Sequence, residues 1–241
     1  MHRFFVNFED IHKDEVHFSG SSAKQIGRVL RLKPGDQCIV LDNLGNELLV
    51  EMTRVSSVAC SASILKKAAA DEPQIRLLML LCLTQREKFE WMLQKCTEVG
   101  AAAFQPVISR RSLVQEKTDM EAKYVRWRMI LKEAAEQSGR GRIPELLPTA
   151  FLAEAVQAAA RANPLCIIPW EEERNTGLKT VLAGKRVTKI AALIGPEGGF
   201  SADEVQSAVD AGFQRVTLGK RILRMETAAV VTAALVFHEL E

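Results

Sequence analysis

The sequence predicts an α/β protein in two parts: a small, mostly β, barrel-like module followed by a larger domain built on a mostly parallel sheet. Three observations carry this expectation. Residues 1–67 run as short alternating apolar stretches separated by turns, the pattern of strands with one wet face. Beyond residue 74, apolar runs of strand length alternate with helical stretches, as they do where crossover helices join parallel strands. Between the two, residues 66–73 (KKAAADEP) lose both patterns and read as a linker.

Within the first part, residues 23–32 suit one short helix. Ser22 and Gln25 have capping-box spacing, and Lys33-Pro34-Gly35-Asp36 stops it. Residues 37–41 read as a strand, Asp42-Asn43-Leu44-Gly45 as a turn and residues 47–55 as the return strand, with a further strand at 58–65.

In the second part, strands are expected at 75–83, 103–108, 165–168, 190–194 and 216–218. A helix over 88–99 aligns Phe89, Met92, Cys96 and Val99 on one stripe and ends at Gly100; such stripes serve packing. A second helix starts at Thr118, with Glu121 three residues on, and passes through Trp127, Ile130 and Leu131. The last, 227–240, is apolar almost all round, as a deeply buried helix or a subunit interface would be.

Bulk composition excludes little. A net charge of +2 over 241 residues does not diagnose a nucleic-acid partner. Basic side chains nevertheless concentrate between Arg110 and Arg142 and again at Arg215, Lys220, Arg221 and Arg224, where they suit either phosphate binding or a solvated face. The five cysteines form no C-x-x-C pair, and the four histidines offer no ligand spacing, so no metal site is expected. Neither a signal-peptide core nor a membrane-length apolar run is present, which predicts a cytoplasmic protein.

Chemistry concentrates in two loops. Leu193-Ile194-Gly195-Pro196-Glu197-Gly198-Gly199-Phe200 leaves a strand and enters a helix whose start is marked by Ser201 and Glu204 at capping-box spacing, with Phe200 and Val205 as the hydrophobic staple. Leu218-Gly219-Lys220-Arg221-Ile222-Leu223-Arg224-Met225-Glu226-Thr227-Ala228 again joins a short β-like run to a long helix. Glycines let backbone approach a ligand at the carboxyl edge of a sheet, so the pair predicts a cofactor site. The dinucleotide fingerprint, the P-loop and the nucleophile elbow are all absent.

These two loops resemble those of the RsmE family of SPOUT-type RNA methyltransferases. Lys95-Cys96-Thr97-Glu98-Val99-Gly100, Arg126-Trp127 and Glu133-Ala134-Ala135-Glu136-Gln137-Ser138-Gly139-Arg140 extend the resemblance upstream. Val29-Leu30-Arg31 with Gly35-Asp36 is similar to the family's PUA-like module. One departure is Met225, where many relatives carry threonine.

The resemblance implies a PUA-like RNA-binding domain over residues 1–70 and a SPOUT methyltransferase domain over 74–241, its C-terminal segment threaded as a trefoil knot. It also implies S-adenosyl-L-methionine as cofactor, a homodimer, and methylation of N3 of one uridine in the decoding region of 16S ribosomal RNA, with the RNA met within the assembled small subunit. On that basis the cofactor would be held by Leu193, Gly195, Pro196, Glu197, Gly198, Gly199, Leu218, Gly219, Ile222, Leu223, Arg224 and Thr227, with Pro169 and Trp170 lining a third loop. Arg224 is the candidate catalytic cation, and Glu197 or Glu226 the candidate base or positioning group. Arg3, Arg31, Arg110, Arg111, Gln137, Ser138, Arg140 and Arg142 form the candidate RNA-binding set. Two other readings stay open at this point: a related methyltransferase acting on a ribose 2′-hydroxyl or on transfer RNA, and a non-catalytic RNA-binding protein of ribosome assembly.

Overall fold

The computed structural model of the chain describes residues 1–116 and 120–241, so the helix start expected at Thr118 lies outside the described residues. Two compact units emerge: Met1–Glu72 with Ala135–Ile143, and Pro73–Ala134 with Pro144–Glu241.

The first unit is a five-stranded sheet. Its strands are β1 (Arg3–Phe5), β2 (Glu15–Ser19), β3 (Gln37–Leu41), β4 (Asn46–Arg54) and β5 (Ala59–Ala69), in the order β1-β3-β4-β5-β2. Alternating residues of these strands, Phe4, Phe18, Val40, Val50 and Met52 among them, close over a core that also takes in Ile26. Register shifts in the β4–β5 pairing, at Leu49/Val50 and Met52/Arg54, bend the ribbon so that it can curl over this core. Two expectations are corrected here. Residues 66–69 belong to β5, paired with β4, and are not linker. The short helix begins earlier than 23, as α1 (Gly20–Lys24) running into a π-turn over Gln25–Val29, and the Ser22–Gln25 cap does not form.

The second unit carries β6 (Arg76–Cys82), α2 (Arg86–Val99), β7 (Ala103–Ile108), α3 (Met120–Ser138, whose last residues belong to the first unit), β8 (Glu145–Leu146), β9 (Ala150–Phe151), α4 (Leu152–Ala162), β10 (Leu165–Pro169), α5 (Leu178–Leu182), β11 (Lys189–Ile194), α6 (Ala202–Asp210), β12 (Phe213–Val216) and α7 (Met225–Leu240). Strand order is β12-β10-β11-β6-β7-β8, with β9 also on β7, and every pairing is parallel. Parallel strands buried on both faces read as continuous apolar runs, which is why β6, β10 and β11 are legible. By contrast β12 pairs over 213–216, beginning three residues earlier than the 216–218 run suggests, and residues 217–218 already belong to the loop.

Helix α7 packs against α2 and α5. Gly100 ends α2 at φ +126°, and a Cβ there would lie 3.1 Å from the Phe237 ring, so glycine serves both the turn and the close approach of α7. One face of α7 is buried through Ala229, Ala233, Val236 and Phe237, while Val230, Val231 and Leu235 stay half-buried. No helix among the described residues is long and apolar enough to cross a membrane.

Candidate functional site

Because β12, β10, β11 and β6 are consecutive neighbours in a parallel sheet, the segments that follow them emerge side by side along one carboxyl edge. There they line a cavity of about 470 Å³. The end of β10 supplies Pro169 and the loop after it Trp170, Glu171 and Arg174; the loop after β11 supplies residues 195–197, 199 and 200. Residues 217–219 and 221–224 come from the loop after β12, Met225, Glu226 and Ala228 from the start of α7, and Lys88 from α2. A third loop and a helix thus join the two glycine-rich loops.

The loop after β11 is held from several sides. Ser201 and Glu204 form the expected capping box, with Ser201 Oγ accepting from the Glu204 N–H, and Phe200 and Val205 are both buried beside it. Thr84 Oγ1 and Lys88 Nζ donate to Glu197 Oε1 at 2.8 and 2.9 Å. The hydrogen bond from Lys88, then that from Thr84, with Arg224 adding attraction, holds the Glu197 carboxyl below the usual carboxylate range. Glu197 is therefore ionised and engaged at neutral pH, which suits a positioning group and not a base. Arg111 Nη1 donates to the Gly198 carbonyl at 2.7 Å, and the Arg110 N–H donates to Glu204 Oε1 at 2.7 Å. The exposed Lys88–Glu197 pair contributes on the order of 1 kcal/mol or less, so its importance is geometric.

The loop after β12 is built differently. Thr217 Oγ1 accepts from the Gly219 N–H at 3.2 Å, and Gly219 sits at φ +123°. Ile222 then projects with 78% of its surface exposed. Arg224 precedes α7 at its N-cap position, exposed and within the cavity lining, and Glu226 lies in the first helical turn, where its carboxylate faces the positive end of the helix dipole. In the loop after β10, the Trp170 ring carries the Arg215 guanidinium 5.7 Å from its centroid. Among the described residues, the buried Trp170 Nε1 has no acceptor.

Of the predicted cofactor residues, Gly195, Pro196, Glu197, Gly199, Leu218, Gly219, Ile222, Leu223 and Arg224 come together in the lining, whereas Leu193, Gly198 and Thr227 only flank it. Lys88, Glu171 and Arg174 were not anticipated, since nothing local in the sequence separates them from ordinary surface charge.

The predicted RNA-binding set divides between the two units. Arg110 and Arg111 are exposed but tethered to the loop after β11 and to α6, the Arg110 guanidinium also standing 3.6 Å from Asp203. Arg31, Gln137, Ser138 and Arg142 are exposed in the first unit, where Arg142 donates to the Leu44 carbonyl. Arg3 is half-buried beside Gly139. Arg140 is a correction: it is 6% exposed and its guanidinium grips the Glu72 carboxylate at 2.8 Å, while Glu72 also accepts from the Gly141 and Arg142 N–H groups. A buried, paired arginine fastens the first unit together and presents no face to RNA.

Comparison with known proteins decides the family. The RNA methyltransferase domain matches residues 71–237 and the RNA methyltransferase PUA domain residues 23–65. A ribosomal RNA small subunit methyltransferase E from Synechocystis is 31% identical, the match covering 97% of this chain and 76% of the relative. This chain belongs to the ribosomal RNA small subunit methyltransferase E family. The Bacillus subtilis methyltransferase E is 28% identical over 100% of this chain and 98% of its own. A crystal structure of the Neisseria gonorrhoeae methyltransferase E, bound to S-adenosyl methionine, superposes with a TM-score of 0.87 at 31% identity, covering 98% of this chain and 96% of that one.

Proposed function

We propose that the protein transfers a methyl group from S-adenosylmethionine to N3 of a uridine in the decoding region of 16S ribosomal RNA. The convergence of three carboxyl-edge loops on one glycine-lined cavity carries the reading. The residues fit that cofactor. A Cβ on Gly195 would stand 2.9 Å from the Phe200 ring and one on Gly199 2.5 Å from Glu171, so glycine at both positions lets these side chains close against the backbone that lines the cavity. Backbone groups of Gly195, Gly199, Leu218, Gly219 and Leu223 are suited to holding the adenine and its sugar, with Leu193, Gly198 and Thr227 supporting them from the flank.

When bound, S-adenosylmethionine supplies a methyl group on a good leaving group, so alignment and exclusion of water dominate the chemistry. The protein's own residues do the rest. Glu197, fixed by Lys88 and Thr84, sets the shape of the loop. Arg224 stands free to face the base: loss of the N3 proton spreads negative charge onto the flanking carbonyl oxygens, which a fixed guanidinium stabilises. RNA recognition falls to Arg3, Arg31, Gln137, Ser138 and Arg142 in the first unit and to Arg110 and Arg111 near the cavity.

The half-buried Val230, Val231 and Leu235 on α7 support pairing with a second copy. Action on the small subunit places the protein in the cytoplasm, and the C-terminal segment threaded as a knot is part of the same reading. Mass mapping of 16S RNA from cells lacking the gene tests it: one uridine should lose a base methyl group. An unchanged methylation pattern, or loss of a ribose methyl group, would refute it.

A further inference from the structure

We infer that Glu171 recognises the ribose of the adenosyl cofactor, its carboxylate accepting hydrogen bonds from the vicinal hydroxyls. The inference rests on the proposed cofactor and adds a recognition residue to it. Glu171 lies in the loop after β10 and lines the cavity. Its position is set from both sides. The Trp170 N–H donates to the Val216 carbonyl at 3.1 Å, and Glu173 accepts from the Asn175 and Thr176 N–H groups at 2.8 and 3.0 Å. Held between these anchors, the Glu171 carboxylate overlies Gly199: an ideal Cβ on that glycine would meet Oε1 at 2.5 Å. Glycine at 199 thus makes room for the carboxylate, which lies against bare backbone at the cavity wall.

Unlike its neighbours, this carboxylate is unspent. Glu197 is taken by Thr84 and Lys88, and Glu173 by backbone amides, whereas Glu171 has no hydrogen-bond or ion-pair partner among the described residues. Its two oxygens only accept, so a ligand group there must donate. A vicinal diol offers two donors at a spacing one carboxylate can take, the same chemistry by which acidic residues beyond a strand end hold ribose in open α/β sheets. The cofactor's cationic sulfur is a poor alternative. A carboxylate beside it would stabilise charge that methyl transfer removes, and so would slow the reaction. The amino-acid arm, with its own carboxylate, is better matched by Arg174 and Arg221.

Calorimetry on the full chain tests this without any turnover. The ligands are S-adenosylmethionine, 5′-methylthioadenosine, which keeps the ribose and lacks the amino-acid arm, and the 2′-deoxy form of the latter. Glu171→Ala and Glu171→Gln should weaken the first two ligands by a similar factor, about tenfold. The 2′-deoxy ligand should bind the wild type less tightly and lose little more on Glu171→Ala. Weakening of S-adenosylmethionine alone would assign Glu171 to the amino-acid arm and overturn the inference, as would unchanged affinity for both. If the wild-type protein bound none of the three, the proposed cofactor itself would fall, and this inference with it.

Discussion

The two glycine-rich loops look alike in sequence and are held very differently. The loop after β11 is fastened by Thr84, Lys88 and Arg111 and closed by a capping box. The loop after β12 turns on one threonine hydroxyl and then leaves Ile222 and Arg224 exposed. A site needs both kinds. The fastened loop presents a preorganised cradle that costs little ordering on binding, whereas the free one can adjust to the substrate as it arrives. Glycine content alone does not distinguish a scaffold from an adaptable wall; the side chains that reach each loop from elsewhere do.

The sharpest way to break this comparison is at Gly199. Its φ of +67° is a conformation that a β-branched residue strongly resists, so Gly199→Val should abolish cofactor binding by calorimetry. Gly198, despite being its neighbour, has no positive φ, and a Cβ there would meet only Arg111 carbons at 3.4 and 3.6 Å. Gly198→Ala should therefore stay within about threefold of the wild-type affinity. Equal loss in both variants would mean that the cradle is not shaped as described.

The next effect in size belongs to the free loop. Arg224→Ala should slow methyl transfer by about two to three powers of ten in single-turnover measurements at saturating RNA. Cofactor affinity should change little, because the interaction matters most in the transition state. Rescue of the rate by additional RNA would make Arg224 a binding residue instead.

A smaller effect sharpens the account of the fastened loop. Glu197→Gln should weaken cofactor binding about three- to tenfold, in keeping with an exposed ion pair plus a hydrogen bond. Since the Glu197 carboxyl sits below its usual range, its contribution is complete above that range. It should disappear only as pH falls through the lowered value. Binding by the wild type should thus be flat from neutral pH into the mildly acidic range, and the gap between wild type and Glu197→Gln should close only under more acid conditions. A gap that closed near neutrality would show that Glu197 is not held by Lys88 and Thr84.

Much of the fold is legible because it is local. Buried parallel strands announce themselves as apolar runs, and the Ser201–Glu204 cap spans only three residues. What stays hidden depends on partners remote in sequence. Nothing around Arg140 reveals that Glu72, 68 residues away, takes its charge and buries it. The Arg110–Arg111 pair reads as a basic patch until α6 and the glycine loop are seen to hold it. Glu171 sits in an acidic run typical of any surface, and only its juxtaposition with Gly199 gives it a role. At β5 the difficulty is of another kind: lysines and alanines at 66–69 have low strand propensity, and pairing with β4 overrides it.

The partners of Glu197 carry a consequence for how the chain reaches its native state. Thr84 and Lys88 are 113 and 109 residues from it, and β6 finds its parallel neighbour β11 across the same interval. Contacts this distant exact a large loop-closure entropy before they return any stabilisation, so folding is expected to be slow for a domain of this size. During synthesis, β6 must wait with an unpaired edge until β11 has emerged, a period in which it is open to mispairing. The contacts that make the cradle rigid in the finished protein cannot form until more than a hundred further residues have been added to the nascent chain.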